Sequence, residues 1–349
     1  MSFNRKICIS AMLISFTGLL CSCSSSPSST VTQNSGDAQT LDVFAMNTYM
    51  SMKAYGDNAQ KALDDSKELI MRLESELSVT DEESCIYELN KTGKGTVTDS
   101  AAALINKAIE IGDRTGGALD ITLYPVLKEW GFTTEDYHIP DEKTLGELLS
   151  NVDYKSISVS GKEVSLPENV QIDLGALAKG YTSDSIMEQM SADGVDSAIV
   201  SLGGNVQAIG AKPDGSAWKV SVRNPFAPDT DMCIVEIKDK AVITSGNYER
   251  FFTGDDGKNY WHIIDPADGY PADNGLVSTT IIGDSGLECD ALSTAFFVAG
   301  KDKAVDYWRS DRSFDMILVS DDGKIFYTEG IADSFKNISN MEAEVLSLE

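Results

Sequence analysis

The stretch QIDLGALAKGYTSDSIMEQM, Gln171–Met190, sets two charged residues, Asp173 and Lys179, around a glycine where an apolar run gives way to a helical pattern. NVQIDL, residues 169–174, reads as a strand, and the spacing predicts a helix from about Ala176 to Met190. Gly175 lets the backbone approach a ligand closely and a helix start presents free N–H groups, so the turn suits a phosphate cradle to which Lys179 adds a point charge. The plainer reading is that Asp173 only caps the helix. Spacing alone leaves both open.

Upstream, TLDVFAMNTYMSMKAY (40–55) is rich in strand formers and reads as a first strand. Ala59–Leu77 places Leu63, Leu69, Ile70, Leu73 and Leu77 mostly on one helical face. A second helix fits Ala101–Arg114. GGALDITLYPVLKEWGF (116–132) runs from a glycine turn into a short apolar segment, and Asp141–Leu149 makes a third, short helix. From Tyr154 the pattern changes to strands: SISVSGKEVSL (156–166) is a hairpin around Gly161, and SAIVSLGGNVQAIG, WKVSVRNP, CIVEIKDKAVITSG, YWHIIDP and VSTTIIG follow between Gly, Asp and Pro turns. Asp290–Val298 opens another helix, and DMILVSDDGKIFYTEG (315–330) closes the body as a hairpin. Hairpin-linked strands with interspersed helices give an α+β fold with largely antiparallel sheets.

The N-terminus stands apart. Arg5 and Lys6 precede an apolar run, Ile7–Leu20, too short and wrongly flanked for a membrane span, and Leu20-Cys21-Ser22-Cys23 has the form of a bacterial lipobox. Residues 1–22 are therefore expected to be a lipoprotein signal and Cys23 the lipidated first residue, anchored at the outer face of the cell membrane. An ordinary secretory signal is the alternative. Residues 23–40, Ser-rich and without apolar periodicity, read as a flexible tether spanning roughly 20–25 Å, and 41–349 as the folded body.

The formal charge is −27 and becomes −29 without Arg5 and Lys6. Such a surface argues against nucleic acid, which needs a basic footprint, and a polyanionic ligand would require a local cation. Cys85, Cys233 and Cys289 are widely spaced, and His138 and His262 are the only histidines, so neither a disulfide scaffold nor a His/Cys zinc site is indicated. Asp290 and Thr294, four apart on a helix, would face the same way. A carboxylate plus a hydroxyl suits Mg²⁺, which leaves positions open for phosphate oxygens, although an N-cap over a packing face has the same pattern. His262 ends a strand before the turn-forming Asp265-Pro266 and Asp268-Gly269, a place for a base or for a packing residue.

Together, DLGALAKGY, SLGGNV, ITSGNYERFF, HIIDPADGYP and CDALSTAFFVAG stand in the order and approximate spacing of the ApbE family, the bacterial FAD:protein FMN transferases, and AMNTYMS and GGALDITLYP resemble its earlier motifs. The resemblance spans about Phe44 to Tyr327 and implies a T-fold-related architecture. It implies FAD contacts at Met46, Ala118, Leu119, Asp120, Asp173, Lys179, His262 and Ile263, and Mg²⁺ ligands at the Ala176 carbonyl, Asp290, Thr294 and the Gly286 backbone. His262 becomes the candidate base, with Asp265 as alternative. The implied reaction moves FMN from FAD to a Thr or Ser hydroxyl and releases AMP, on extracytoplasmic flavin subunits of Rnf- or Nqr-type redox complexes. Two departures bear on it: LSVTDEES leaves Thr80 where the family commonly has an aromatic residue, and Met-Asn-Thr replaces the usual Met-Gly-Thr. FAD hydrolysis to FMN and AMP is therefore the rival activity, and a non-catalytic flavin-binding lipoprotein a third reading.

Cys23→Ala is expected to abolish lipidation and either release the protein from the membrane fraction or block its processing. A mutant that processes and fractionates like the parent would overturn the lipobox reading.

Overall fold

The computed structural model describes residues 38–348. The signal segment, Cys23 and all but the end of the tether lie outside the described residues. That end is already structured: Gln39 and Thr40 pair with Ala54 and Lys53, so the body starts two residues before the expected Leu41.

Nine strands form one sheet in simple chain order. They are β1 Gln39–Ala45, β2 Thr48–Ala54, β3 Ala198–Leu202, β4 Asn205–Ile209, β5 Ala241–Gly246, β6 Leu276–Gly283, β7 Phe314–Ser320, β8 Ile325–Thr328 and β9 Ala343–Leu346. Every neighbouring pair is antiparallel except β8–β9. The helices are α1 Ala59–Leu77, α2 Cys85–Thr92, α3 Asp99–Arg114, α4 Tyr124–Glu129, α5 Glu142–Leu149, α6 Gly175–Ala192, α7 Gly286–Ala299 and α8 Lys301–Ser310. The α+β expectation with mainly antiparallel pairing holds.

Strand alternation gives the sheet two apolar faces. In β7, Met316 and Leu318 join the core shared with α3, α7 and α8, whereas Ile317 and Val319 join the one shared with a three-stranded sheet of Trp218–Asn224, Ala227–Ile237 and Phe335–Asn337. Consequently β6 is buried along its whole length. On α1, Leu63, Ile70, Leu73 and Leu77 are buried as the periodicity predicts, and the helix lies over β1, β2 and α6.

Several local readings change. The 40–55 stretch is a tight hairpin rather than one strand, because Met46 and Asn47 both take positive φ, 49° and 57°, and reverse the chain; asparagine tolerates that region better than most residues. Residues 170–174 join no sheet, and Asn169 before them sits in a turn at φ 66°. Their backbone partners are the Asn90 side chain, which donates to the Ile172 carbonyl at 2.8 Å and accepts from its N–H at 2.7 Å, and the Ile121 carbonyl, which accepts from Asp173 N–H at 2.9 Å. Helices α2, α4 and α8 went unread. The signals for α2 were present: Ser84 accepts from the N–H groups of Ile86 and Tyr87, and Gly93 closes the helix at φ 74°.

The site depends on the crossing of α6 and α7, which meet backbone to backbone. A Cβ at Gly180 would overlap the Gly286 carbonyl oxygen and stand 2.6 Å from Asp290 Cβ. Asp184 of α6 accepts from the N–H groups of Gly286 (2.6 Å) and Leu287 (2.9 Å) and from the Ser285 hydroxyl (2.8 Å), capping α7. In return, Asp290 of α7 accepts from Gly180 N–H at 2.8 Å. Gly180→Ala should therefore destabilise by about 1–3 kcal/mol, reversing the roughly 1 kcal/mol gain that Gly→Ala gives in an open helix. Denaturant or thermal unfolding reads the sign, and equal or higher stability would contradict the close crossing.

Candidate active site

A cleft of about 430 Å³ opens at the strand ends beside this crossing. Its floor comes from the Met46–Asn47 turn, Gly203 and Asn205 at the β3–β4 turn, and Thr244–Gly246 at the end of β5. The first turns of α6 and one face of α7 form one wall. The other is an aromatic lobe from residues 123–152 and 252–270, where Trp130 packs on Phe252, Tyr260 and Tyr270 and donates from Nε1 to the Gly269 carbonyl at 2.7 Å. Burying a side chain such as Trp130 or Phe132 contributes about 1.5–3 kcal/mol, so this wall is firmly built.

The 171–190 stretch enters the cleft at its first helical turns. Asp173 Oδ1 accepts from Gly175 N–H at 2.5 Å, as a cap would, and the residue still lines the cleft. Its pKa is pushed up by burial and drawn back by that N–H and by the charges of Arg250 and Lys179. Asp173 thus stands just before the N-cap Leu174, bonds the first helical N–H and lines the cleft.

Asp290 and Thr294 also line the cleft, and Asp290 is only 3% exposed. Burial raises its carboxyl pKa against the opposing pull of Lys179 and Gly180 N–H. Gly180 N–H, the donor that a regular helix gives to the Ala176 carbonyl, also reaches the Asp290 carboxylate at 2.8 Å, so the two acceptors share it. Thr294 Oγ1 lies 3.2 Å from Ser245 Oγ, itself 2.8 Å from Ser293 Oγ. Asn205 Nδ2 is buried without a hydrogen bond of ordinary geometry, although its dipole favours the Asp290 carboxylate. A buried carboxylate, an adjacent hydroxyl and an accessible carbonyl are hard oxygen donors of the kind a Mg²⁺-sized ion takes. Among the described residues no group of three or more His, Cys, Asp or Glu side chains is placed to hold a metal.

On the lobe side, His262 is half-buried and faces the cleft. Its Nδ1 donates to the Arg250 carbonyl at 3.1 Å, which leaves Nε2 with the free lone pair. Burial, then the charges of Arg250 and Lys179, depress its pKa to about 4. Met46 donates its N–H to Glu74 at 2.6 Å, and Ala118, Leu119 and Ile263 line the same cavity. Asp120 lines it too, but its carboxylate is taken up by Thr122 and by Tyr154 N–H, so only its backbone is available to a ligand. Thr80 is exposed at the mouth.

Two expectations change. Asp265 is not among the residues lining the cleft, and its Oδ1 accepts from Ala267 N–H at 2.8 Å within its own turn. Gly286 lies in the helix crossing with its carbonyl against Gly180, four residues before Asp290, and does not reach the cleft. The sequence reading also gave no role to Arg250, Glu74 or Asn205, all of which line it. Arg250 stands inside the motif ITSGNYERFF, but its direction depends on a loop whose conformation periodicity does not report.

The model of the ApbE family matches residues 46–318. The chain belongs to the ApbE family. An FAD:protein FMN transferase of Treponema pallidum (strain Nichols) is 33% identical over 292 residues, 78% of this chain and 80% of that one. One from Salmonella typhimurium is 27% identical over 343 residues, 94% and 95% of the two chains. The solved ApbE protein of Thermotoga maritima superimposes with a TM-score of 0.80 at 32% identity, covering 85% of this chain and 99% of its own. The flavin transferase ApbE of Vibrio cholerae, at 23% identity and TM-score 0.77 over 85% and 99%, shares the fold. In this ApbE chain the cleft gathers the expected residues apart from Asp265 and Gly286.

A ring-proton NMR titration of the ligand-free protein should give His262 a midpoint near 4, moving upward in Arg250→Met. Because the folded-state value lies below the ordinary 6.5, the unfolded chain binds the proton first, and this group's stabilisation, full above pH 6.5, declines as pH falls toward 4. A midpoint at or above 6.5 would contradict the surroundings described.

Proposed function

We infer that this chain transfers the FMN half of FAD to a Thr or Ser hydroxyl of another protein and releases AMP. The observation that carries the reading is the match to proteins named FAD:protein FMN transferase across most of both chains, joined to a cleft that brings Lys179, Asp290, Thr294 and His262 together.

Mg²⁺ is the proposed cofactor, held by Asp290, Thr294 and the Ala176 carbonyl; when bound it neutralises pyrophosphate charge and polarises the FMN-side phosphorus. Lys179 adds positive charge beside that site, since its field reaches Asp290, Asp173 and His262. His262 Nε2 takes the proton of the attacking hydroxyl as the new O–P bond forms and the bond to the AMP oxygen breaks. A depressed pKa keeps the imidazole neutral at pH 7, and the arriving phosphate charge raises its basicity where the proton is taken. The aromatic wall excludes water, and a positioned hydroxyl then gains over bulk water.

Extracytoplasmic flavin subunits of Rnf- or Nqr-type complexes are the proposed acceptors, met by an enzyme lipid-anchored through Cys23 at the outer membrane face. Hydrolysis of FAD is the second reading, favoured by the exposed Thr80 at the mouth, which supplies no ring to stack on the ligand.

Incubation with FAD, Mg²⁺ and an acceptor domain, followed by intact mass and AMP assay, separates the readings. Transfer gives FMN on the acceptor with equal AMP, hydrolysis gives free FMN and AMP with the acceptor unmodified, and a pure binder gives neither. Asp290→Asn should lower turnover by about 10²–10³ while flavin still binds weakly. Full activity in that variant, or undiminished turnover in excess EDTA, would contradict the metal-assisted reading.

A further inference from the structure

In a chain with 55 acidic and 28 basic residues, two cations stand in the cleft. Lys179 and Arg250 both line it, and among the described residues neither side chain has an ion pair or a hydrogen bond. Lys179 acts on Asp290, Asp173, Glu249 and His262, and Arg250 acts on Asp173 and His262. All of these groups line or border the same cleft as Thr294.

Arg250 is also fixed at its backbone. Its carbonyl accepts from both the N–H and Nδ1 of His262, each at 3.1 Å, so the residue that sets the imidazole tautomer carries an unpaired guanidinium into the same cavity. A planar guanidinium offers two parallel N–H donors to a phosphate, a geometry that a lysine cannot reproduce.

Resting on the transfer reading above, we propose that Arg250 is a substrate-binding residue that holds the FMN-side phosphate beside His262. It selects the phosphorus that is attacked: the phosphate held against the imidazole is the one whose acceptor hydroxyl loses its proton there. Flavin alone gains nothing from it, because riboflavin carries no phosphate.

The test compares the full-length protein and Arg250→Met in binding FMN, riboflavin and AMP, by flavin fluorescence quenching for the first two and calorimetry for the third. FMN affinity should fall about 10- to 100-fold, the loss of one charge-assisted phosphate contact, with riboflavin and AMP unchanged. Arg250→Lys should recover part of the FMN affinity but not the transfer rate, because it restores charge without the fork. Equal losses for riboflavin and FMN would mean a merely structural role, and a loss confined to AMP would put Arg250 on the other phosphate; either overturns the proposal. These binding outcomes need no turnover. If the parent protein neither transfers nor hydrolyses while Arg250→Met still loses FMN selectively, the failure belongs to the transferase reading and not to the phosphate assignment.

Discussion

Two helices exchange carboxylates across a crossing that only glycine permits. Asp184 of α6 caps α7 through the N–H groups of Gly286 and Leu287, and Asp290 of α7 accepts from the Gly180 N–H of α6. Gly180 and Gly286 allow the backbones to touch between these anchors, which brings the first turn of one helix within reach of a carboxylate on the other. The remaining features of the site follow from this contact. The close approach places Asp290 and Thr294 at the cleft, shares the donor that a regular helix gives to the Ala176 carbonyl, and keeps Lys179 beside them. A hydrogen bond to a charged group of this kind contributes about 1.5–3 kcal/mol, so the arrangement is stable without a ligand although it leaves a buried carboxylate short of positive charge.

That shortage links fold to function in so acidic a protein. Burial works against the ionised form of Asp290, and the groups opposing it, Lys179 and one backbone N–H, do not complete a coordination shell. A cation together with the oxygens of a pyrophosphate would satisfy both the carboxylate and the unpaired cations opposite. On the lobe side the same electrostatics act on His262 in reverse, since positive neighbours and burial hold it neutral until phosphate arrives. On the transfer reading, a cation would supply the counter-charge at Asp290 and the substrate's phosphates would supply it at Lys179 and Arg250.

Much of this was legible in the residues. The α1 periodicity, the Asp290/Thr294 spacing and the Gly175 turn each carry a local physical signature that tertiary structure did not override. The rest depended on contacts distant in sequence. Nothing near residue 172 announces that Asn90 supplies its backbone partners, so a segment that joins no sheet read as a strand. Met46–Asn47 hid a hairpin because the turn carries no glycine and its flanks are continuous strand formers. Asp265 looked reactive by proximity to His262, yet an aspartate before proline accepts from its own turn as readily as it serves a substrate. Gly286 was a ligand candidate through the family resemblance alone, and its smallness serves the crossing.

The central claim is that the α6–α7 crossing builds a cation site from one carboxylate, one hydroxyl and one helix carbonyl. Anomalous diffraction from crystals grown with FAD and soaked in Mn²⁺ addresses it directly. The account predicts an anomalous peak bonded to the Asp290 carboxylate and the Thr294 hydroxyl, beside the Ala176 carbonyl and in contact with a flavin phosphate. Ordered FAD in the cleft with no peak there, or with the metal held by other residues, would contradict it.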